Sequence, residues 1–233
     1  ADDAALALEA AAGRNDTFAE EASAFTGDDL AGRLTTTADN FTGDVAGAKG
    51  TPDDDTIDGL DDPDVNNVDV IGGLAGDDVL SGGLGDDRLF GDGGDDQLTG
   101  NAGADQLTGG AGTDTARYDR DGGPDGVTVD LGDGTATDSF GDSDTLAGIE
   151  NVVGTGQADT LTGDATDNRL TGNGGADTID GGGGTDTAVF AANRADATIE
   201  QTGNTTITVE IGDVTSTLTN IEALAFQDTT LNV

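Results

Sequence analysis

Apolar side chains recur along the middle of this chain at every ninth position, each two residues after an acid. Leu80, Leu89, Leu98 and Leu107 follow Asp78, Asp87, Asp96 and Asp105, and Ala116 follows Asp114. The units from Gly73 read GLAGDDVLS, GGLGDDRLF, GDGGDDQLT, GNAGADQLT and GGAGTDTAR, with no residue inserted or lost. Counting each unit from its first glycine, the acid holds place six and the apolar residue place eight. The beat returns as GTGQADTLT, GDATDNRLT, GNGGADTID and GGGGTDTAV, whose sixth places are Asp159, Asn168, Asp177 and Asp186. Gly109 and Gly154 are a whole number of units apart, so both blocks share one frame. A repeat this regular predicts a solenoid, with the place-eight residues stacked as an apolar ladder.

The pattern also sets boundaries. GTPDDDTID, from Gly50 to Asp58, carries Asp55 and Ile57 in phase. An insertion from Gly59 to Pro63 precedes the unit with Asp69 and Ile71, and Pro63 suits a loop and not a ladder position. Residues 118–153 interrupt the beat. There VTVDL from Val127 and TATD from Thr135 predict a hairpin around Gly132, Asp133 and Gly134. After Val189 the glycines stop, and Thr198–Glu200, Thr205–Ile211 and Val214–Leu218 alternate as strands with one wet face. The expected organisation is an arm or degenerate repeats over 1–49, repeat blocks over 50–117 and 154–189, a hairpin insert over 118–153 and a β cap over 190–233. In the arm, AALALEAAAG and the capping-box spacing of Thr17 and Glu20 suggest short helices. A rival reading makes Asp39, Phe41 and Gly43 places six, eight and one of degenerate units. The chain opens on Ala1 with no visible signal peptide, which fits a processed or excised segment.

The units resemble G-G-x-G-x-D-x-U-x, the nonapeptide of the repeats-in-toxin (RTX) proteins, a calcium-binding parallel β-helix motif. The resemblance covers about half the chain. It implies an all-β, right-handed parallel β-roll in which two units make one coil, six residues forming a calcium-binding turn and three a short strand. It places Asp69, Asp87 and Asp105 on one edge, and Asp78, Asp96 and Asp114 on the other. Asp159 with Asp177, and Asn168 with Asp186, would continue the two edges. Asp55 is an in-phase ligand candidate, and Gly82, Gly83, Leu84, Gly85, Gly91, Gly94, Gly172 and Gly175 are backbone candidates. DTLAGIEN, from Asp144, resembles a segment that often precedes RTX units, and TLTNIEAL echoes it near the C-terminus. Glu150 falls at place six of the extended frame, as a ligand or as a polar residue ending the hairpin. LTTTADNFTG is similar to repeats of surface-layer proteins of the RTX type, and the C-terminal end resembles the cap and signal region of proteins leaving Gram-negative cells by type I secretion.

The chemistry suits calcium. A hard cation takes six to eight oxygens from carboxylates and carbonyls. Glycine lets a turn adopt positive φ and bring carbonyls close to an ion. Asn168 keeps an oxygen but lacks the charge, so its site should be weaker. Place-five acids (Asp77, Asp86, Asp95) and place-two acids (Asp92, Asp164) either raise affinity or add surface charge.

Charge and composition sharpen this picture. The 48 Asp and Glu against 8 Lys and Arg give a net charge of −40, which draws cations and repels nucleic acid and anionic membranes. Hydrophobic residues are 33% and aromatics 3%, too few for an ordinary packed core, so folding and ion binding should be one event. With no Cys and no His, disulfides, thiol chemistry, serine-type triads and the usual zinc sites are excluded. No apolar run approaches membrane-span length. The carboxylates are periodic and lack the Trp or Tyr that shape sugar sites, Tyr118 being the only Tyr, so catalysis is not expected. The functional expectation is an extracellular calcium-binding structural protein of surface-layer, biofilm-matrix or adhesin type. Its partners would be calcium ions, the type I secretion machinery and further copies in filaments or an array. The alternative is the secretion and folding module of a larger enzyme, toxin or adhesin; a third is a calcium buffer or sensor.

Overall fold

The computed structural model describes residues 41–42, 46–59 and 68–233. The helices expected in the N-terminal arm, the place-six reading of Asp39, and the Gly59–Pro63 loop beyond Gly59 lie outside the described residues. The strands are β1 (Phe41–Thr42), β2 (Ala46–Lys49), β3 (Thr56–Asp58), β4 (Val70–Ala75), β5 (Val79–Leu84), β6 (Arg88–Gly93), β7 (Gln97–Ala102), β8 (Gln106–Ala111) and β9 (Thr115–Arg117). The insert contributes β10 (Thr128–Asp130), β11 (Thr135–Thr137) and β12 (Ser143–Ala147). The second block runs through β13 (Asn151–Val153), β14 (Thr160–Thr162), β15 (Arg169–Thr171), β16 (Thr178–Asp180) and β17 (Thr187–Val189). The end of the chain adds β18 (Ala197–Gln201), β19 (Thr206–Ile211), β20 (Val214–Thr219), β21 (Ala223–Ala225) and β22 (Thr230–Asn232).

Successive repeat strands alternate between two sheets. One runs β1-β3-β5-β7-β9-β13-β15-β17-β21-β22, the other β18-β19-β20-β16-β14-β10-β11-β12-β8-β6-β4-β2. Strands two units apart therefore pair in parallel, Leu80 opposite Leu98 and Leu89 opposite Leu107. β1 joins the same ladder, Phe41 opposite Ile57, which agrees with the degenerate-repeat reading at that position. This is the β-roll: each place-eight residue points inward, and Leu80, Leu89, Leu98, Leu161 and Leu170 have no exposed surface. Burying each such side chain contributes about 1.5–3 kcal/mol, but the core is only one side chain deep per strand.

The first block departs from the expected three-residue strand. Its strands span six residues, because pairing continues past the strand into places two and three, with Leu74 opposite Asp92 and Ala75 opposite Gly93. Place two takes a left-handed backbone there, at Leu74 (φ 87), Asp92 (φ 70) and Asn101 (φ 70). That bend keeps turn carbonyls and N–H groups in line with the next coil.

The insert forms the expected hairpin, Val129 opposite Ala136. It adds a third strand that the periodicity does not announce. β12 pairs in parallel with β8, and β10 pairs in parallel with β14. One sheet thus gains two strands, β10 and β11, where the other steps directly from β9 through β13 to β15. The end of the chain repeats the device: β18, β19 and β20 form a meander whose last strand pairs in parallel with β16. β22 then folds back antiparallel on β21, the cap expected of a solenoid end.

Candidate metal centres in the repeat turns

Two rows of buried carboxylates run along the edges of the roll, with the edge assignment expected from the repeats. Along one edge the place-six Asp accepts, through Oδ1, the backbone N–H of the place-six residue one coil earlier: Asp78 from Asp55 (2.7 Å), Asp96 from Asp78 (2.8 Å) and Asp114 from Asp96 (2.9 Å). On the other edge Asp87 accepts from Asp69 (2.7 Å) and Asp105 from Asp87 (2.8 Å). Asp177 and Asp186 continue the rows, accepting from Asp159 (3.1 Å) and Asn168 (2.8 Å). One oxygen of each carboxylate is thereby spent on stacking the coils.

The second oxygen behaves differently from unit to unit. Oδ2 of Asp78, Asp87, Asp96, Asp105, Asp114 and Asp186 is buried and accepts no hydrogen bond. It folds back over the first glycine of its own unit. A Cβ on Gly91 would lie 2.2 Å from Asp96 Oδ2 and 2.7 Å from the Gly109 carbonyl oxygen; one on Gly82 would lie 2.4 Å from Asp87 Oδ2 and 2.8 Å from the Gly100 carbonyl oxygen. The space a side chain would fill is lined by a bare carboxylate oxygen and a carbonyl oxygen of the next coil. A buried carboxylate without donors is costly, and a hard divalent cation is the group that an all-oxygen cradle of this charge suits. As among all the described residues, no three acidic side chains gather at one point here. Each unit offers one carboxylate, and carbonyls such as those of Gly91, Gly100 and Gly109 supply the rest.

Three units are closed instead. In the units of Asp55, Asp159 and Asn168 the place-two N–H donates to the place-six side chain: Thr51 to Asp55 Oδ2, Thr155 to Asp159 Oδ2 (2.9 Å) and Asp164 to Asn168 Oδ1 (2.8 Å). Asp159 Oδ1 further accepts from Val127 N–H and Thr155 Oγ1, and Asn168 Nδ2 donates to the Glu150 carbonyl. The cause is at place four. Open units carry glycine there with positive φ, as at Gly76 (φ 118), Gly85 (φ 119), Gly94 (φ 138) and Gly184 (φ 122). Closed units carry Asp53, Gln157 and Thr166, which disfavour that conformation. Of the backbone candidates, Gly82, Gly91 and Gly172 stand at place one against a bare or nearly bare carboxylate. Gly83, Gly85, Gly94 and Gly175 supply left-handed turn positions, and Leu84 is half exposed in the turn between.

Place-five acids are not idle charge. Asp77 Oδ1 accepts from Asp95 N–H, and Asp95 Oδ1 from Thr113 N–H, each 2.8 Å, forming an outer ladder on the exposed rim. Glu150 belongs to the inner row, where Oε2 accepts from Asp114 N–H (2.9 Å). Three further ladder residues escape the nonapeptide frame. Asp144 accepts from Asp105 N–H (3.0 Å), Ser216 Oγ from Asp177 N–H (3.2 Å), and Glu222 from Asp186 N–H (2.8 Å); Asp138 lies near Asp144 in the insert. The echo of DTLAGIEN in STLTNIEA was the available signal, since Asp144 and Glu150 close the rows of one block as Ser216 and Glu222 close those of the other.

Burial dominates the electrostatics. It pushes the carboxyls of Asp87 and Asp105 up to about 7, and those of Asp78, Asp114 and Asp177 up to about 6. The ladder N–H opposes that rise, and neighbouring carboxylates add to it. Such groups hold protons far more readily than free aspartates.

These turns define a calcium-binding β-roll. The profile of the RTX calcium-binding nonapeptide repeat (4 copies) matches residues 66–98, 81–116 and 153–188, so the chain carries RTX calcium-binding repeats. No curated protein matches the chain.

The open and closed turns make a direct prediction. Asp96→Ala should lose measurable calcium affinity by isothermal titration, because it removes a ligand oxygen and a ladder acceptor together. Asp133→Ala, out of phase in the β10–β11 turn, should leave the isotherm unchanged. Asp159→Asn, in a closed turn, should lie near Asp133→Ala; equal losses in all three would refute the assignment.

Proposed function

We propose that the protein is a non-catalytic, extracellular structural protein of surface-layer, matrix or adhesin type, exported by a type I route and folded by the calcium it meets outside the cell. The observation that supports this reading most is the use of the described chain. Every described strand belongs to one of the two sheets of the roll, including the strands of the insert and of the C-terminal cap. The candidate calcium turns are thus part of the frame of the described roll itself. Weak turn sites of one carboxylate each suit the millimolar calcium of extracellular modules. Among the described residues the sheets end at β1 and β2 and at β18 and β22, strand edges of the kind that pair with further chains.

Light scattering and electron microscopy during a calcium titration test this. Growth of filaments or sheets with calcium, reversed by chelator, is the expected result. A monomer at saturating calcium would overturn self-assembly and favour a folding and secretion module of a larger secreted protein.

A further inference from the structure

The insert buries acids that the repeats do not explain. Asp121 is 8% exposed, Asp138 1% and Ser139 0%. Both carboxylate oxygens of Asp121, Oδ2 of Asp138 and Oγ of Ser139 are buried without a hydrogen-bond partner. The segment around Asp121 lies against the turn that follows β11. A Cβ on Gly123 would meet Ser139 Oγ at 2.3 Å, and Asp125 N–H donates to the Ser139 carbonyl at 3.3 Å. Asp138 Oδ1 is fixed by the N–H groups of Phe140 (3.0 Å) and Asp142 (2.7 Å), which leaves Oδ2 aimed away from them. The charge of Asp138 acts on Asp121 more than any other does, followed by that of Asp144. Asp144 is itself held by Asp105 N–H and by the hydroxyl of Tyr118 (3.3 Å).

The C-terminal meander is an internal control. Ala136 faces Val129 and Asp144, as Val209 faces Ile199 and Ser216. In that alignment Asp138 corresponds to Ile211, Asp144 to Ser216 and Tyr118 to Phe190, which stacks on Phe226. The same architecture therefore folds with an apolar residue, Ile211, at the place where the first insert buries Asp138. Packing alone gives no reason for the buried, unpartnered oxygens of Asp121 and Asp138, and leaving them bare is costly.

We propose that the insert holds a cation site of its own, outside the nonapeptide frame, in which Asp121 and Asp138 bind calcium with Ser139 and with Asp144 beside them. The donor set is all oxygen, and as in the repeats it needs backbone carbonyls and water to reach the coordination number of calcium. The site joins the Tyr118–Asp125 segment to β11 and β12. It would lock the insert's two extra strands onto the end of the first block.

Tyr118 makes the site addressable, since the chain has one Tyr and no Trp. Terbium(III) replaces calcium in the full chain, and its emission on tyrosine excitation reports an ion near Tyr118. The expected result is sensitised emission in the wild type and in D133N, and its loss in D121N/D138N. Native mass spectrometry should show that double variant with one calcium fewer, its β-sheet circular dichroism retained. Unchanged emission and an unchanged count in D121N/D138N would overturn the site while leaving the repeat sites standing. If the double variant does not fold, a calcium-soaked wild-type crystal decides. An anomalous peak between Asp121 and Asp138 supports the site, and water alone there refutes it.

Discussion

At neutral pH without calcium, the chain is expected to have no β-roll, and millimolar calcium is expected to restore it. The expectation follows from where the charges sit. A net charge of −40 opposes any compact state, and its most damaging part is the row of carboxylates buried one coil apart along each edge. The hydrophobic return is small, one inward residue per strand, as with Leu80, Leu98 and Ala116 down one sheet. Stacking hydrogen bonds such as Asp78 N–H to Asp96 Oδ1 form only when the coils are already in register. A divalent ion in each open turn cancels two charges and gives Oδ2 the partner it lacks, so binding and folding are one transition. Far-ultraviolet circular dichroism with chelator and then with excess calcium measures this. A β spectrum of equal strength in both conditions would show that the apolar ladder suffices without ions.

How much of this was legible in the sequence depended on what was periodic. Place six and place eight determine which residues are buried ladder acids and which are core. Both sets land as expected, from Asp69 and Ile71 to Asp186 and Ala188. The two edges follow from the period, because strands two units apart must stack. Whether a turn is open is also written in the chain, but at place four. Gly94 permits the left-handed turn that bares Asp96, whereas Gln157 accompanies a turn closed on Asp159. Counting acids without that glycine does not separate the bare carboxylates from Asp55, Asp159 and Asn168, whose side chains accept a turn N–H. The insert was legible only as far as its hairpin. Nothing local reveals that β12, and not β10, continues the sheet from β8, because partner choice among three short alternating strands is made by long-range register. Asp121 and Asp138 were invisible for the same reason: they meet only after that choice.

Acid should replace calcium. The place-six carboxyls have an ordinary value of 3.8 when exposed, and burial raises them to about 6 at Asp78 and Asp114 and about 7 at Asp87 and Asp105. The ion-free roll therefore binds more protons than the unfolded chain. By linkage its stability is greatest below about pH 4 and is lost as pH rises through the interval from about 4 to 7. A calcium-free sample titrated from pH 7 to pH 4 should gain β-sheet circular dichroism as these carboxyls take up protons. The same competition runs the other way for the ion: apparent calcium affinity should fall steeply as pH drops from 7 to 5, because each cradle must lose a proton to bind. Substitution separates this from general charge neutralisation near the acidic pI. D87N/D105N removes two of the most shifted carboxyls, so the β signal of the calcium-free protein should depend less on pH across that interval. An unaltered pH profile in D87N/D105N would show that overall charge, and not the buried rows, governs the fold.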